Sequence, residues 1–120
     1  MLRKFKFDYD PDNDSLFLYD PKSKSKASVE LDDLIIDYNS RKEITGIEML
    51  NASAFLKDVG CNGFAVTREA LRELKGCKVD IMPRSSFFVV KLILLFKPNR
   101  QFAAPVIVPS VKAPSPALAY

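Results

Sequence analysis

Asp8, Asp10, Asp12 and Asp14 recur at every second position, and oxygen ligands at that spacing open the loop of a calcium-binding hand. Counted from Asp10, the glycine required at loop position six is Ser15, and the bidentate acid required at position twelve is Pro21, which excludes an EF-hand. Asp10, Asp12 and Asp14 are therefore weak candidates for a cation held by carboxylates alone, set against the simpler reading of a solvated turn. Asp32, Asp33 and Asp37 form a second acidic group, where like charges brought together could raise one carboxyl pKa toward catalytic use. The chain contains no histidine. That removes Ser-His-Asp and Cys-His catalysis, histidine-held zinc and the commonest general base. Ser85 and Ser86 have no base beside them in any familiar pattern, and Asn51-Ala52-Ser53, formally a glycosylation sequon, reads as the start of a helix. Cys61 and Cys77 lie far apart without a CxxC, so two buried thiols are expected rather than a metal site, and their pairing is left open. No catalytic residue and no cofactor is assigned, and the expectation is a protein that is not an enzyme.

The elements that must position these residues follow from local pattern. Phe5, Phe7 and Tyr9 alternate with Lys4, Lys6, Asp8 and Asp10, the period of a half-buried strand. Asp10-Pro11-Asp12-Asn13-Asp14 turns the chain into a second strand at Leu16-Phe17-Leu18-Tyr19. The segments 29–31, 34–38 and 44–50 read as three more strands with connections short enough for antiparallel pairing. Asn51 is expected to cap a short helix through about Asp58, with Gly60 as its left-handed stop; Thr67 caps a second helix through Lys75, followed by Gly76. Strands are expected at Cys77 to Met82, Phe87 to Lys97 and Phe102 to Val108, where Pro105 argues for an edge or a bulge. The fold class is thus α+β: an antiparallel β-meander of about five strands, one or two short helices, then a hydrophobic β-hairpin. Residues 1–108 form one domain, and 109–120 a proline-rich tail.

A chain of 120 residues, 48% hydrophobic and 28% charged, has the size and balance of one globular domain. Its net charge of +3 divides unevenly, with acids in excess over residues 1–60 and bases in excess over 61–120. The basic residues of the second half are spread singly between apolar runs, which argues for solubilising charge over a nucleic-acid patch. Phe87, Phe88, Phe96 and Phe102, interleaved with Arg84, Lys91, Lys97 and Arg100, are expected in the core rather than on a stacking platform. Nucleic-acid binding is accordingly a minor alternative. No signal-peptide core follows the first residues, and no apolar run approaches the ~20 residues of a membrane-spanning helix, so a soluble, cytoplasmic protein is expected.

The strand from Phe87 carries the largest clue to association. Phe88, Val90, Leu92, Leu94 and Phe96 make one apolar face, and Phe87, Val89, Ile93 and Leu95 another broken only by Lys91 and Lys97. A strand apolar on both sides needs cover on both. One cover is the domain's own core, and the other is the helix pair of 52–75 or a second subunit. Phe87, Val89, Lys91, Ile93 and Leu95 are therefore the self-association candidates, for a homodimer or higher homo-oligomer.

Phe7 to Leu18, then Val29-Glu30-Leu31-Asp32, Ile35-Ile36-Asp37-Tyr38 and Ile44 to Ser53, in that order, resemble the domain-of-unknown-function family numbered 2283 over residues 5–56. The resemblance implies a small meander followed by a helix, and no established activity. The half after residue 60 is similar to longer, archaeal-type members. Where the family often places an acid and a glycine in the turn after Asp37-Tyr38, this chain has Asn39-Ser40-Arg41-Lys42-Glu43. What the resemblance adds on function is an antitoxin-like partnership with an unidentified protein. The leading expectation is a non-enzymatic, self-associating interaction module, and its alternative a carboxylate-dependent metal binder or hydrolase.

Overall fold

A computed structural model describes residues 1–60 and 66–110. The chain runs β1 (Leu2–Asp10), β2 (Ser15–Tyr19), β3 (Ala27–Leu31), β4 (Leu34–Tyr38), β5 (Ile44–Met49), α1 (Ala52–Val59), α2 (Arg68–Arg72), β6 (Leu74–Pro83), β7 (Phe87–Phe96) and β8 (Arg100–Pro109). All strand pairs are antiparallel, in the order β3-β4-β5-β2-β1-β6-β7-β8.

This corrects the expected α+β architecture. Strands make up 57% of the described chain in one eight-stranded curled half-barrel, and the helices are only eight and five residues long. The first five strands are where alternation placed them, but they do not form a meander. β2 pairs with β5 rather than β3, Leu18 opposite Ile47, so β3 lies at the edge. The connection through residues 20–26 is long enough to carry the chain past β5 and β4, and Asp20 N–H donates to Thr45 O at 2.9 Å where it leaves β2. β6 begins at Leu74, three residues before the expected Cys77, because the helix capped by Thr67 ends at Arg72. A bulge between Leu74 and Gly76 sets its register on β7. Any Cys61–Cys77 pairing and the tail from residue 111 lie outside the described residues.

β1 bends the sheet into its curl. Leu2 to Phe5 pair with β6, and Lys6 to Asp10 pair with β2, so one strand changes neighbours at its middle. The two arms fold toward each other over a single core. Leu16 and Leu18 of β2, Ile36 of β4 and Ile47 of β5 join Val90, Leu92, Leu94 and Phe96 of β7 and Phe102 and Val108 of β8 in it. Each such side chain, fully buried, contributes roughly 1.5–3 kcal/mol. Tyr38 ties the arms directly, its hydroxyl donating to Pro109 O at 2.8 Å, and burial pushes its phenol up to about 12.

Both helices lie on the core side, through Ala52 and Leu56 of α1 and Ala70 and Leu71 of α2. The Thr67 cap is as expected, its hydroxyl accepting from Ala70 N at 3.1 Å. The ends of α1 are not. Asn51 is left-handed (φ 50) and makes no cap bond, and Gly60 is extended (φ −78, ψ 143). Gly60 is needed for space: a Cβ there would overlap the Phe102 ring, 2.8 Å from its Cζ and closer still to Cε2. Gly60→Ala is expected to destabilise the protein by about 1–3 kcal/mol through overpacking. A lower urea midpoint at unchanged slope checks this.

Candidate functional site

The four aspartates of the first hairpin are brought together in sequence and separated in space. Asp10 closes an Asx turn: its carboxylate accepts from Asn13 Nδ2 at 2.7 Å and from the backbone amides of Asp12 and Asn13 at 3.0 and 3.4 Å. These bonds, that from the Asn13 side chain foremost, hold its pKa below the usual carboxylate value. Asp12 is exposed at the turn. Asp14 instead points inward from a left-handed residue (φ 53) and is 3% exposed. Its carboxylate accepts from the Tyr9 hydroxyl at 2.7 Å, the Ser53 hydroxyl at 2.6 Å and the Ser53 amide at 3.2 Å, with Arg68 Nε at 3.7 Å. Asp14 thus performs across the fold the capping that the sequence suggested for Asn51. Burial alone would raise its pKa, but the Ser53 and Tyr9 hydroxyls, the Ser53 amide and Arg68 outweigh it and hold the carboxyl low. With its oxygens so engaged, Asp14 does not join Asp10 and Asp12 in a ligand set.

The second acidic group is also dispersed. Asp33 precedes β4 and accepts from Asn51 Nδ2 at 3.3 Å, while Asp37 lies within it and accepts from the Ser28 hydroxyl at 2.5 Å. Among the described residues no group of three or more acids and cysteines is placed to hold a metal ion. Cys77 is buried, its thiol donating to Phe5 O at 3.3 Å, and burial pushes its pKa up to about 11. It is a core thiol without thiolate character. In the turn that departs from the family pattern, Asn39 Oδ1 accepts from Arg41 N and Glu43 N at 2.9 and 3.0 Å, and Lys42 takes the positive φ of 64 that a glycine would adopt freely. Of the interleaved phenylalanines, Phe96 and Phe102 are in the core and Phe88 packs against it, which leaves Phe87 outside the core.

The outer face of β6, β7 and β8 is the assembled feature. Cross-strand register aligns Met82, Val89 and Ile107 in one row, Asp80, Lys91 and Pro105 in the next, and Lys78, Ile93 and Ala103 in a third. Phe87 opposite Pro109 and Leu95 opposite Gln101 extend it at the two ends. Phe87, Val89, Ile93 and Leu95 are half-buried and belong to neither the core nor its packed margin, and Ile107 is 68% exposed. The helices, drawn to the inner side, leave this face without cover among the described residues. Alternation in β7 identified its central row of residues. Met82, Ala103, Pro105 and Ile107 were missed, although period two in β8 places the last three on one side.

Residues 6–53 match the family described as a protein of unknown function, DUF2283. An uncharacterized protein of Methanocaldococcus jannaschii is 48% identical over 50 residues, which are 42% of this chain and 43% of that one. A Methanosarcina mazei protein, provisionally named as a hypoxanthine phosphoribosyltransferase, is 39% identical over 70 residues, 58% of this chain and 50% of that one. The chain therefore spans half or less of the length of the curated relatives it matches. No solved structure matches it. Placed on the fold, the segment that resembles this family runs from the middle of β1 to the first turn of α1, taking in β2 to β5 and the Asp14 to Ser53 cap.

Proposed function

We propose that the protein is a non-enzymatic, self-associating interaction module in which the outer face of β6–β8 packs against the same face of a second copy. The observation that supports this is the apolar surface turned away from the core, with Asp80 directly beside Lys91 at its centre. An isologous contact needs a patch complementary to itself, and an adjacent acid and base meet that condition: Asp80 of each copy faces Lys91 of the other. Three ten-residue strands present a footprint of roughly 33 by 14 Å, about 460 Å² in projection, to set beside the ~800 Å² per partner of standard interfaces. The edge is a poorer contact. Pro105 and Pro109 remove two donors from β8, which blunts addition of another strand and favours the face.

The test is the native mass of the purified chain. Integer multiples of 13.5 kDa at micromolar concentration are expected, and a stable 13.5 kDa monomer overturns the reading.

A further inference from the structure

β1 carries a second surface feature that depends on strand order. Lys4 and Lys6 alternate with core-facing Phe5 and Phe7, so both ammonium groups stand on the outer side, about 7 Å apart along the strand. Lys4 lies directly opposite Lys78 of β6, and Lys6 directly opposite Tyr19 of β2. Like charges placed opposite each other across an antiparallel pair are destabilising. No acid relieves them: among the described residues Lys4, Lys6 and Lys78 take part in no ion pair. Asp20 is paired with Arg3, and Asp80 with the amino group of Met1. Asp8 bounds the ridge at its far end.

Because β1 leaves β6 after Phe5 and joins β2 at Lys6, a gap opens on each side of this ridge. One groove, about 270 Å³, is lined by Lys4, Lys6, Tyr19 and Lys75 among others; the other, about 360 Å³, by Lys4, Lys6, Pro21 and Lys22 together with Asp20, whose carboxylate is paired with Arg3. Tyr19, half-buried, is stacked on Phe17 with ring centroids 5.0 Å apart, which holds its ring in place beside the lysines. An unpaired basic ridge with a fixed aromatic ring at its flank combines phosphate attraction and base stacking. From this we infer that the outer side of β1 binds single-stranded nucleic acid, with Lys4, Lys6 and Lys78 on successive phosphates and Tyr19 beneath a base. The inference does not rest on self-association; Lys78 also stands in the third row of the β6–β8 face, at its border with β1.

The experiment is fluorescence anisotropy of a labelled twelve-nucleotide oligothymidylate titrated with the full chain. Three neutralised phosphates predict a log–log salt slope of about −2, an affinity loss of about 20-fold between about 50 and 200 mM salt. Lys78→Glu turns a like-charged pair into an opposite one, so it is expected to weaken binding several-fold while leaving the melting temperature unchanged or raised. Combining it with Lys4→Glu and Lys6→Glu costs at least tenfold more, and Tyr19→Leu about tenfold without changing the salt slope. No anisotropy change with the wild-type chain, or equal affinity in the triple variant, overturns the inference. So does a preference for duplex DNA, or for anionic phospholipid vesicles over the oligonucleotide.

Discussion

Ile93→Lys is expected to turn the oligomer into a soluble monomer or an aggregate, seen as a fall in mass or loss of the soluble oligomer in sedimentation velocity. Ile93 sits in the middle of β7, opposite Lys78 on one side and Ala103 on the other, and faces away from the core. In a separated chain the new ammonium group reaches water, so the fold itself loses little. In a face-to-face dimer each copy would bury an unpaired charge, at several kcal/mol apiece. Even about 3 kcal/mol in total raises the dissociation constant more than a hundredfold. Lys91→Asp is expected to weaken association as well, because Asp80 then faces an acid. Oligomers of unchanged mass after Ile93→Lys would place the contact elsewhere, while a monomeric wild type would remove the proposal itself.

Asp14→Ala should cause a large loss of stability, about 2–4 kcal/mol, as the sum of a lost helix cap and the half-buried Tyr9 phenol left without its acceptor. Alanine is also strained at φ 53, a conformation that aspartate and asparagine tolerate. Asp14→Asn keeps the shape and the backbone preference, so it should cost less than half as much. For a domain of this size a melting temperature lower by roughly 10 °C is expected for the alanine variant. A drop of only a degree or two would show that the cap contributes nothing.

The charge of Asp14 can be separated by pH. Its carboxyl titrates below the ordinary value in the folded protein, so the stabilisation it provides is complete above the unfolded pKa of ~3.9 and is lost as pH falls through the folded pKa. The stability gap between wild type and Asp14→Asn should therefore be constant near neutrality and narrow below about pH 4. A gap that widens with acid would contradict the assignment.

Local pattern carried the strands a long way. Phe5, Phe7 and Tyr9, and Leu34, Ile36 and Tyr38, announce half-buried strands because successive side chains must point to opposite faces. Thr67 announces its helix because a hydroxyl at that position reaches an amide three residues on. Two apolar faces on β7 marked it as a strand with more than one neighbour to find, whichever way the chain returned. All of these depend on residues within a few positions of one another.

Strand order, the inward turn of Asp14 and the pairing of Lys4 with Lys78 depend instead on residues far apart in the chain. Nothing in the residues of β2 distinguishes a ladder with β3 from one with β5, since antiparallel backbones offer the same donors and acceptors. Packing over the shared core decides between them. Asn51 and Asp14 are equally good capping residues, and only the approach of the first hairpin to α1 puts the carboxylate of Asp14 at Ser53. The helices could have covered either side of β7. The sheet curls once, toward the side its arms can share, and the helices fill that side, so the outer face of β6–β8 stays open.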